Sequence, residues 1–353
     1  MKTTLSSKVA VLLSGGVDSS VSAFLLKKLG YEVIGLTSKM VDDDNFKQVA
    51  QNAKKVADAL NIEHYILDLS SEFKNNVVEY FENDYINGKT PNPCIICNKT
   101  IKWGELFDYA INELKCDYVA TGHYAKIEHE NGVYTLKAAL DDKKDQLYYL
   151  FELNQYQLSK TLFPLCSLTK DEVRKIAREN NLPSKSAKES QDICFIKKPC
   201  TTKKYLLKKF GTKQGNFVLK SEDRIIGTHD GCYLYTVGQR KGIGISYEVP
   251  LYVLGIDSEN NIVYLGVKRE LDEHFVNLKN VFIQNPKYLL EEFKAFIKIR
   301  YNMNYFTGKI CLKKNNEALV AFDEPVQSVT NGQAAVFYDI NDKSLIGGGW
   351  IEK

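Results

Sequence analysis

The sequence predicts an α/β chain: an N-terminal doubly wound parallel sheet, then a small β-rich central domain and a C-terminal β-barrel domain. Three observations predict it. In the first half, short apolar runs alternate with helical periodicity, the pattern of parallel strands covered by helices on both faces. Beyond about residue 198, Gly-rich and β-branched segments take over and long helical periodicity disappears. At 353 residues the chain is long for one core, so two or three domains are expected. The expected divisions are 1–197, 198–270 and 271–353.

Residues 9–13 read as a buried strand, followed by Ser14-Gly15-Gly16-Val17-Asp18-Ser19 and a helix that stops near Gly30. Residues 33–37 make the second strand. Phe46, Val49, Ala50, Ala53, Val56, Ala57 and Leu60 recur at three- and four-residue steps, marking one face of a helix. Residues 65–69 return to strand, and a helix over about 72–85 stops at Gly88. There Thr90-Pro91-Asn92-Pro93 predicts an extended loop carrying Cys94 and Cys97. A strand at 117–121 ends at Gly122-His123. Thr169 with Glu172 is a capping-box start, with Val173, Ile176 and Ala177 as the buried stripe before Pro183. The α/β part finishes near Ile196. Downstream, 251–256 and 262–267 joined across Asn260-Asn261 read as a hairpin, with further strands at 295–300, 318–322 and 334–338.

Hydrophobic residues make up 44% and charged residues 26%, which excludes disorder as the main theme. Net charge is only +3, from 47 basic and 44 acidic side chains, so a nucleic-acid partner cannot be argued from the total. No apolar stretch reaches membrane-spanning length, and the first apolar run is too short for a signal-peptide core, so a cytoplasmic protein without a membrane partner is expected. In a reducing compartment the eight cysteines are not expected to form a structural disulfide framework.

The Ser14–Ser19 loop sits between a predicted strand and a predicted helix, where glycines let backbone N–H groups turn toward an anion and the helix N-terminus adds partial positive charge. A pyrophosphate is the natural guest. The loop lacks the Gly-Lys-Ser/Thr ending of a Walker A motif, which disfavours transfer of a terminal phosphoryl group. It resembles the PP-loop of enzymes that cleave ATP to AMP and pyrophosphate; an ordinary Gly-Gly turn is the bland alternative.

Asn92-Pro93-Cys94-Ile95-Ile96-Cys97-Asn98-Lys99 could be half of a zinc site, but no second pair repeats the spacing and the five histidines form no partner cluster, so no metal site is expected. The sharper reading pairs Cys97 with Cys194, in Lys188-Glu189-Ser190-Gln191-Asp192-Ile193-Cys194-Phe195. Sulfur transfer needs two thiols, one carrying a labile sulfur as a persulfide and one attacking it. Two buried structural cysteines remain the bland alternative. Lys99, close in sequence to Cys97, is a candidate for lowering a thiol pKa.

Several separate segments together resemble one family, the bacterial tRNA 2-thiouridylases. The matching segments are 14–20, 90–98 with Ile101-Lys102, 121–125, Lys144-Asp145-Gln146, Leu162-Phe163-Pro164-Leu165, 190–195, 236–244 and 332–338, in the family's order. The resemblance implies a PP-loop ATPase domain of the adenine nucleotide alpha hydrolase type. It also implies ATP-dependent 2-thiolation of the wobble uridine, with ATP, together with Mg2+, adenylating the uracil 2-oxygen. By that resemblance Cys194 accepts a persulfide from a sulfur-carrier protein, and Cys97 attacks the persulfide or its adduct. Leu12, Leu13, Ser14, Gly15, Gly16, Val17, Asp18, Ser19, Ser38 and Gly122 would hold the nucleotide. Asn92, Pro93 and Cys94 would face the target base, and Lys144, Asp145, Gln146, Arg300 and Tyr301 would touch tRNA, expected to be those for Lys, Glu and Gln.

Three departures stand out: Cys94 replaces an aspartate of some members, Ser38 falls near a nucleotide-contacting Met, and Asn302-Met303-Asn304 replaces a basic and polar continuation. Between Asp192 and Glu222 there is no acidic residue, while Lys197, Lys198, Lys203, Lys204, Lys208, Lys209, Lys213 and Lys220 accumulate, a candidate phosphate-facing stretch. His123, after a strand and beside Gly122, reads as structural or nucleotide-adjacent. A PP-loop amide-forming ligase, which needs no cysteine pair, and a zinc-stabilised RNA-binding module are the competing functions.

Overall fold

The structure is a computed structural model that describes residues 7–41, 43–186 and 193–353; Lys188-Glu189-Ser190-Gln191-Asp192, ahead of Cys194, lies outside the described residues. The chain divides into two compact units. One comprises Met1–Val77, Cys94–Gln191 and Lys343–Leu345, the other Val78–Pro93, Asp192–Asp342 and Ile346–Lys353. In chain order the helices are α1 (Val17–Lys28), α2 (Asp44–Leu60), α3 (Ser70–Phe73), α4 (Glu79–Ile86), α5 (Pro93–Cys97), α6 (Gln155–Ser159), α7 (Lys170–Glu179) and α8 (Thr202–Phe210).

The first unit is built on β1 (Lys8–Leu12), β2 (Glu32–Lys39), β3 (Glu63–Asp68), β4 (Tyr118–Ala120), the hairpin β5 (Lys126–Glu130) and β6 (Val133–Lys137), and β7 (Thr161–Leu162). The sheet order is β3-β2-β1-β4-β7 and every pairing is parallel. Val9, Ala10 and Val11 are fully buried, as expected of a central strand covered on both faces. The chain leaves β1 toward β2 and β3, then returns to add β4 on the other side. The carboxyl ends of β1 and β4 therefore form the switch point where ligands bind in such sheets. Asp43 caps α2 by accepting from Phe46 N at 2.9 Å, and Ala53, Val56, Ala57 and Leu60 bury the predicted stripe. The capping box at α7 is present in both directions: Glu172 N donates to Thr169 Oγ1 (3.3 Å) and Thr169 N to Glu172 Oε2 (2.7 Å).

In the second unit, β8 (Gly215–Leu219), β9 (Arg224–His229), β10 (Tyr252–Asp257) and β11 (Ile262–Gly266) form a sheet in the order β10-β11-β8-β9. The expected β10–β11 hairpin is antiparallel, and Asn261 in its turn has φ 55°. The barrel comprises β12 (Glu273–Ile283), β13 (Glu292–Lys298), β14 (Phe306–Lys313), β15 (Glu317–Val326), β16 (Ala334–Tyr338) and β17 (Leu345–Glu352), closed in the order β12-β15-β14-β13-β16-β17. Inward residues of alternate positions, including Ala295, Ile297, Ile310, Val320 and Phe337, fill it.

Two local expectations are corrected, and one hairpin was not read from the sequence. Cys94 and Cys97 lie on α5, not on an extended loop: Pro93 occupies the first helical position, where its missing N–H costs nothing, and the chain continues as a π-helical stretch, Asn98–Leu106. The β5–β6 hairpin turns on Asn131-Gly132 with φ of 50° and 78°, a two-residue signal present in the sequence. Helix α8 appears where helical periodicity was expected to vanish; it is capped by Thr201, which accepts from Lys204 N at 3.3 Å, and Leu206 is its buried anchor. Among the described residues no helix is long and apolar enough to cross a membrane.

Buried Trp103 donates its indole N–H to Thr161 Oγ1 at 2.8 Å, tying the π-helical stretch to β7. Thr161→Val, which keeps the shape but leaves that donor unpaired, should cost about 1–3 kcal/mol in urea denaturation; an unchanged midpoint would show that the bond contributes nothing.

Candidate active site

The loop between β1 and α1 opens at the switch point. Leu13 N donates to Leu36 O (2.9 Å), and the buried Thr37 hydroxyl donates to Leu13 O (2.7 Å), so the chain leaves the sheet in a fixed direction. Gly15 turns it with φ 72° and lies flush on α2, where a Cβ would stand 2.8 Å from Asn52 Cβ. Gly16 is the N-cap of α1 and supplies no side-chain capping bond. Ser19 and Ser20 donate their hydroxyls to Gly16 O at 3.2 and 2.7 Å, and Ser14 N donates to Ser19 Oγ at 3.2 Å. The loop is braced internally while the first amides of α1 lack a side-chain cap, the arrangement that receives an anion.

Gly122, just beyond β4, presses against this helix start. A Cβ there would lie 2.8 Å from Asp18 Cβ and 2.9 Å from Ser19 N, so only glycine fits. Asp18 is held from two further directions. Lys170, from the first position of α7, puts its ammonium 2.7 and 2.6 Å from the two carboxylate oxygens, and Tyr124 donates its hydroxyl to Oδ1 at 3.0 Å. Ser38 lies near the carboxyl end of β2, half-buried, in the same unit.

His123 is structural. Its Nδ1 is 2.8 Å from Thr121 Oγ1, its Nε2 is 3.5 Å from Lys102 Nζ, and it packs among Trp103 and Phe163. Burial, reinforced by the Lys102 charge, drives its pKa well below 6.5, so it is neutral at physiological pH.

Tyr124 also links the loop to Lys144-Asp145-Gln146. Gln146 accepts from Tyr124 N through Oε1 (2.9 Å) and donates its own N–H to Tyr124 O (3.1 Å). Asp145 is buried and accepts from Leu147 N (3.1 Å), shaping the turn, while Lys144 is half-buried. The next residues meet the cysteine helix: Asn98 Nδ2 donates to Tyr149 O (3.0 Å), and Lys99 pairs with the buried Glu152 carboxylate at 3.3 Å. Lys99 is thus committed to Glu152. Cys97 is buried at the end of α5. Cys94 keeps solvent contact, yet the surrounding protein raises its thiol pKa, with Lys102 opposing. This unit therefore brings together the loop, Gly122, Ser38, Lys144 to Gln146 and the two cysteines of α5. Lys170, Tyr124 and Glu152 went unnoticed in the sequence; the usable signal for Lys170 is a lysine in the first turn of a capping-box helix, where a cation is disfavoured.

The remaining candidates belong to the second unit. Asn92 is buried, with its N–H 3.3 Å from Tyr80 Oη, and Gln333 donates to Thr90 O (2.9 Å) and Pro91 O (3.2 Å), so the segment ahead of Pro93 is pinned. Arg300 donates to Val237 O at 3.0 Å and to Thr330 Oγ1, while Tyr301 is half-buried. Gly238, with φ 86°, approaches Ser328 so closely that a Cβ would stand 2.2 Å from its Oγ. The 236–244 segment is therefore a brace between the central sheet and the barrel. Cys194 is exposed, next to Phe195, which packs edge-on against Phe81. On α8, Lys203, Lys204, Lys208 and Lys209 are all exposed; Lys203 lies 5.6 Å from the centre of the Tyr235 ring and Lys209 pairs with Glu82 at 2.8 Å.

Family models match along the chain: a tRNA methyl transferase HUP domain over 7–198, a tRNA methyl transferase PRC-barrel domain over 203–267, and an aminomethyltransferase beta-barrel domain over 274–351. Among curated relatives, the tRNA-specific 2-thiouridylase MnmA 2 of Thermoanaerobacter sp. (strain X514) is 42% identical over 99% of this chain and 99% of its own length. MnmA 1 of Caldanaerobacter subterraneus subsp. tengcongensis is 43% identical, again over 99% of each chain. The relative from Clostridioides difficile (strain 630) is 39% identical, over 99% of each. Among solved structures, the U34-tRNA thiolase NcsA from Methanococcus maripaludis aligns with 23% identity at a TM-score of 0.36, covering 54% of this chain and 61% of that one.

Two outcomes follow from the geometry. Gly122→Val should displace the start of α1 and cost about 1–3 kcal/mol in urea denaturation; an unchanged midpoint would refute the close packing. The stability that neutral His123 contributes is complete above pH 6.5 and is lost as pH falls from there through its lower folded-state pKa. In His123→Gln the urea midpoint should therefore fall less between pH 7.5 and 5 than in the wild type, and identical slopes would contradict the assignment.

Proposed function

The chain belongs to the tRNA-specific 2-thiouridylase family, and we propose that it replaces the 2-oxygen of the wobble uridine of tRNA with sulfur, consuming ATP. The observation that carries this reading is that one unit holds both an anion-ready loop at its switch point and, on α5, the thiol of Cys97. ATP would lie along 12–19 with Ser38 and Gly122. A magnesium ion binds through one or two carboxylates together with substrate phosphates, and the Asp18 carboxylate in the first turn of α1 fits that donor set; when bound, the ion would neutralise the departing pyrophosphate.

Attack of the uracil 2-oxygen on the α-phosphorus releases pyrophosphate and turns a poor leaving group into AMP. The outer sulfur of a Cys194 persulfide, delivered by a sulfur-carrier protein, then attacks C2 and AMP leaves. The Cys97 thiolate attacks the inner sulfur of the adduct, releasing 2-thiouridine and leaving a Cys97–Cys194 disulfide for an external thiol reductant to reset. Asn92, Pro93 and Cys94 would meet the base. Lys144, Asp145 and Gln146, together with Arg300 and Tyr301, would serve the tRNA surface, Asp145 and Arg300 by shaping the backbone around them. We further propose the divisions 1–197 for the catalytic part and 198–270 and 271–353 for tRNA-contacting parts. The preferred substrates would be the tRNAs for Lys, Glu and Gln, and the setting the cytoplasm.

Cys97→Ser and Cys194→Ser should each abolish 2-thiouridine formation while leaving tRNA-dependent release of pyrophosphate in a single turnover; turnover preserved in either variant would eliminate the thiol mechanism and favour an amide-forming ligase. On α8, Lys204 and Lys208 stand four residues apart on one face. Replacing both with Glu should weaken tRNA binding and flatten its salt dependence without changing ATP affinity; unchanged tRNA affinity would remove α8 from the interface.

A further inference from the structure

We propose that Cys94 is the resolving thiol of the cycle: it attacks Cys97 in the Cys97–Cys194 disulfide, returns Cys194 as a thiolate and leaves a Cys94–Cys97 disulfide for the external reductant. The proposal rests on the thiolation reading above and goes beyond it by naming the residue that resets the site.

The sequence places a second cysteine three residues ahead of Cys97, and the fold decides what that spacing means. Both residues lie on α5 and in the same compact unit, so they share a helix face one turn apart. The rise and radius of an α-helix put such Cα atoms about 5 Å apart, inside the roughly 4.4–6.8 Å that a disulfide spans. On an extended loop the same spacing would hold them about 10 Å apart, beyond bridging.

The two thiols also differ in access. Cys97 is buried, whereas Cys94 keeps solvent contact. Cysteine is among the most buried residue types, so a thiol held at the surface one turn from a buried one is placed for reaction rather than for packing. An external dithiol meets Cys94 before Cys97. Burial by the surrounding protein raises the Cys94 thiol pKa, with Lys102 opposing, so the thiolate is scarce at neutral pH and its attack quickens as pH rises.

The steps balance. The Cys94 thiolate bonds to the Cys97 sulfur as the Cys97–Cys194 bond breaks, and Cys194 leaves with the electron pair. A dithiol reductant then attacks the Cys94 sulfur and expels the Cys97 thiolate; its second thiol displaces Cys94, and the reductant departs as its own disulfide. Direct attack of the reductant on Cys194 would instead leave the persulfide-accepting sulfur capped until that mixed disulfide is resolved. Cys94 spares it this delay.

The test follows the disulfides of the full-length chain through one turnover. Cys194 is loaded with glutathione persulfide, small thiols are removed by gel filtration, and tRNA, ATP and magnesium are added without reductant. Samples are quenched in acid over time, blocked with N-ethylmaleimide and digested with trypsin, which leaves Cys94 and Cys97 in peptide 90–99 and Cys194 in peptide 189–197. The cross-linked pair of peptides should appear first and decay into peptide 90–99 lighter by two hydrogens and unlabelled, with 189–197 carrying one maleimide, in step with 2-thiouridine formed. Moving from pH 7 to pH 8 should speed that decay roughly 10-fold, the rise in thiolate. A cross-link that persists, or an internal bridge in 90–99 that grows equally without ATP, overturns the proposal. Absence of 2-thiouridine in the complete reaction overturns the thiolation reading itself, and this proposal with it.

Discussion

The geometry of the first unit depends on the close approach between Gly122 and the first turn of α1. Because no Cβ fits between residue 122 and Asp18, the end of β4 and the start of α1 share one surface, and the helix amides are held at the mouth of the switch point. Gly15 plays the complementary part on the other side, resting on α2 with a backbone angle that L side chains rarely adopt. Two glycines thus position the loop, and the residues around it act through that position. Tyr124 reaches Asp18 and Gln146 together, and the segment after Gln146 reaches Asn98 and Glu152's partner Lys99. The β1–α1 loop and the Cys97 helix are therefore connected by hydrogen bonds rather than by chance proximity in a fold.

In the second unit the same economy appears around Thr90 to Asn92. Gln333 from the barrel and Tyr80 from α4 hold a short segment whose prolines prevent it from satisfying itself through secondary structure. Arg300, expected on sequence grounds to face tRNA, uses its guanidinium on Val237 and Thr330, and the Gly238 contact with Ser328 completes the brace. The 236–244 segment, whose role was opaque in the sequence, has a mechanical one: it ties the small sheet to the barrel.

What was legible in the sequence was whatever repeats at a fixed period or is dictated by backbone chemistry. The buried strand at 9–13, the stripe on α2, the capping box of α7 and the β10–β11 hairpin each announce themselves locally. The two-residue Asn131-Gly132 turn was equally local and was passed over because its flanking strands are short and polar. Helix α8 was hidden by its brevity and its lysines, and α5 by prolines that forbid a helix interior yet suit its first position. The site divides the same way. The loop and the cysteines carry readable patterns, whereas Lys170, Tyr124 and Glu152 matter only because distant segments converge, and no spacing rule reports that convergence.

The proposed reaction turns on the fate of one atom on one nucleoside. The most direct measurement is mass spectrometry of nucleosides from tRNA of a strain lacking this gene, beside the same strain with the gene restored. Loss of 2-thiouridine derivatives in the first and their return in the second is the expected result. Undiminished 2-thiouridine in the deletion strain, with no second homologue in the genome, would contradict the account.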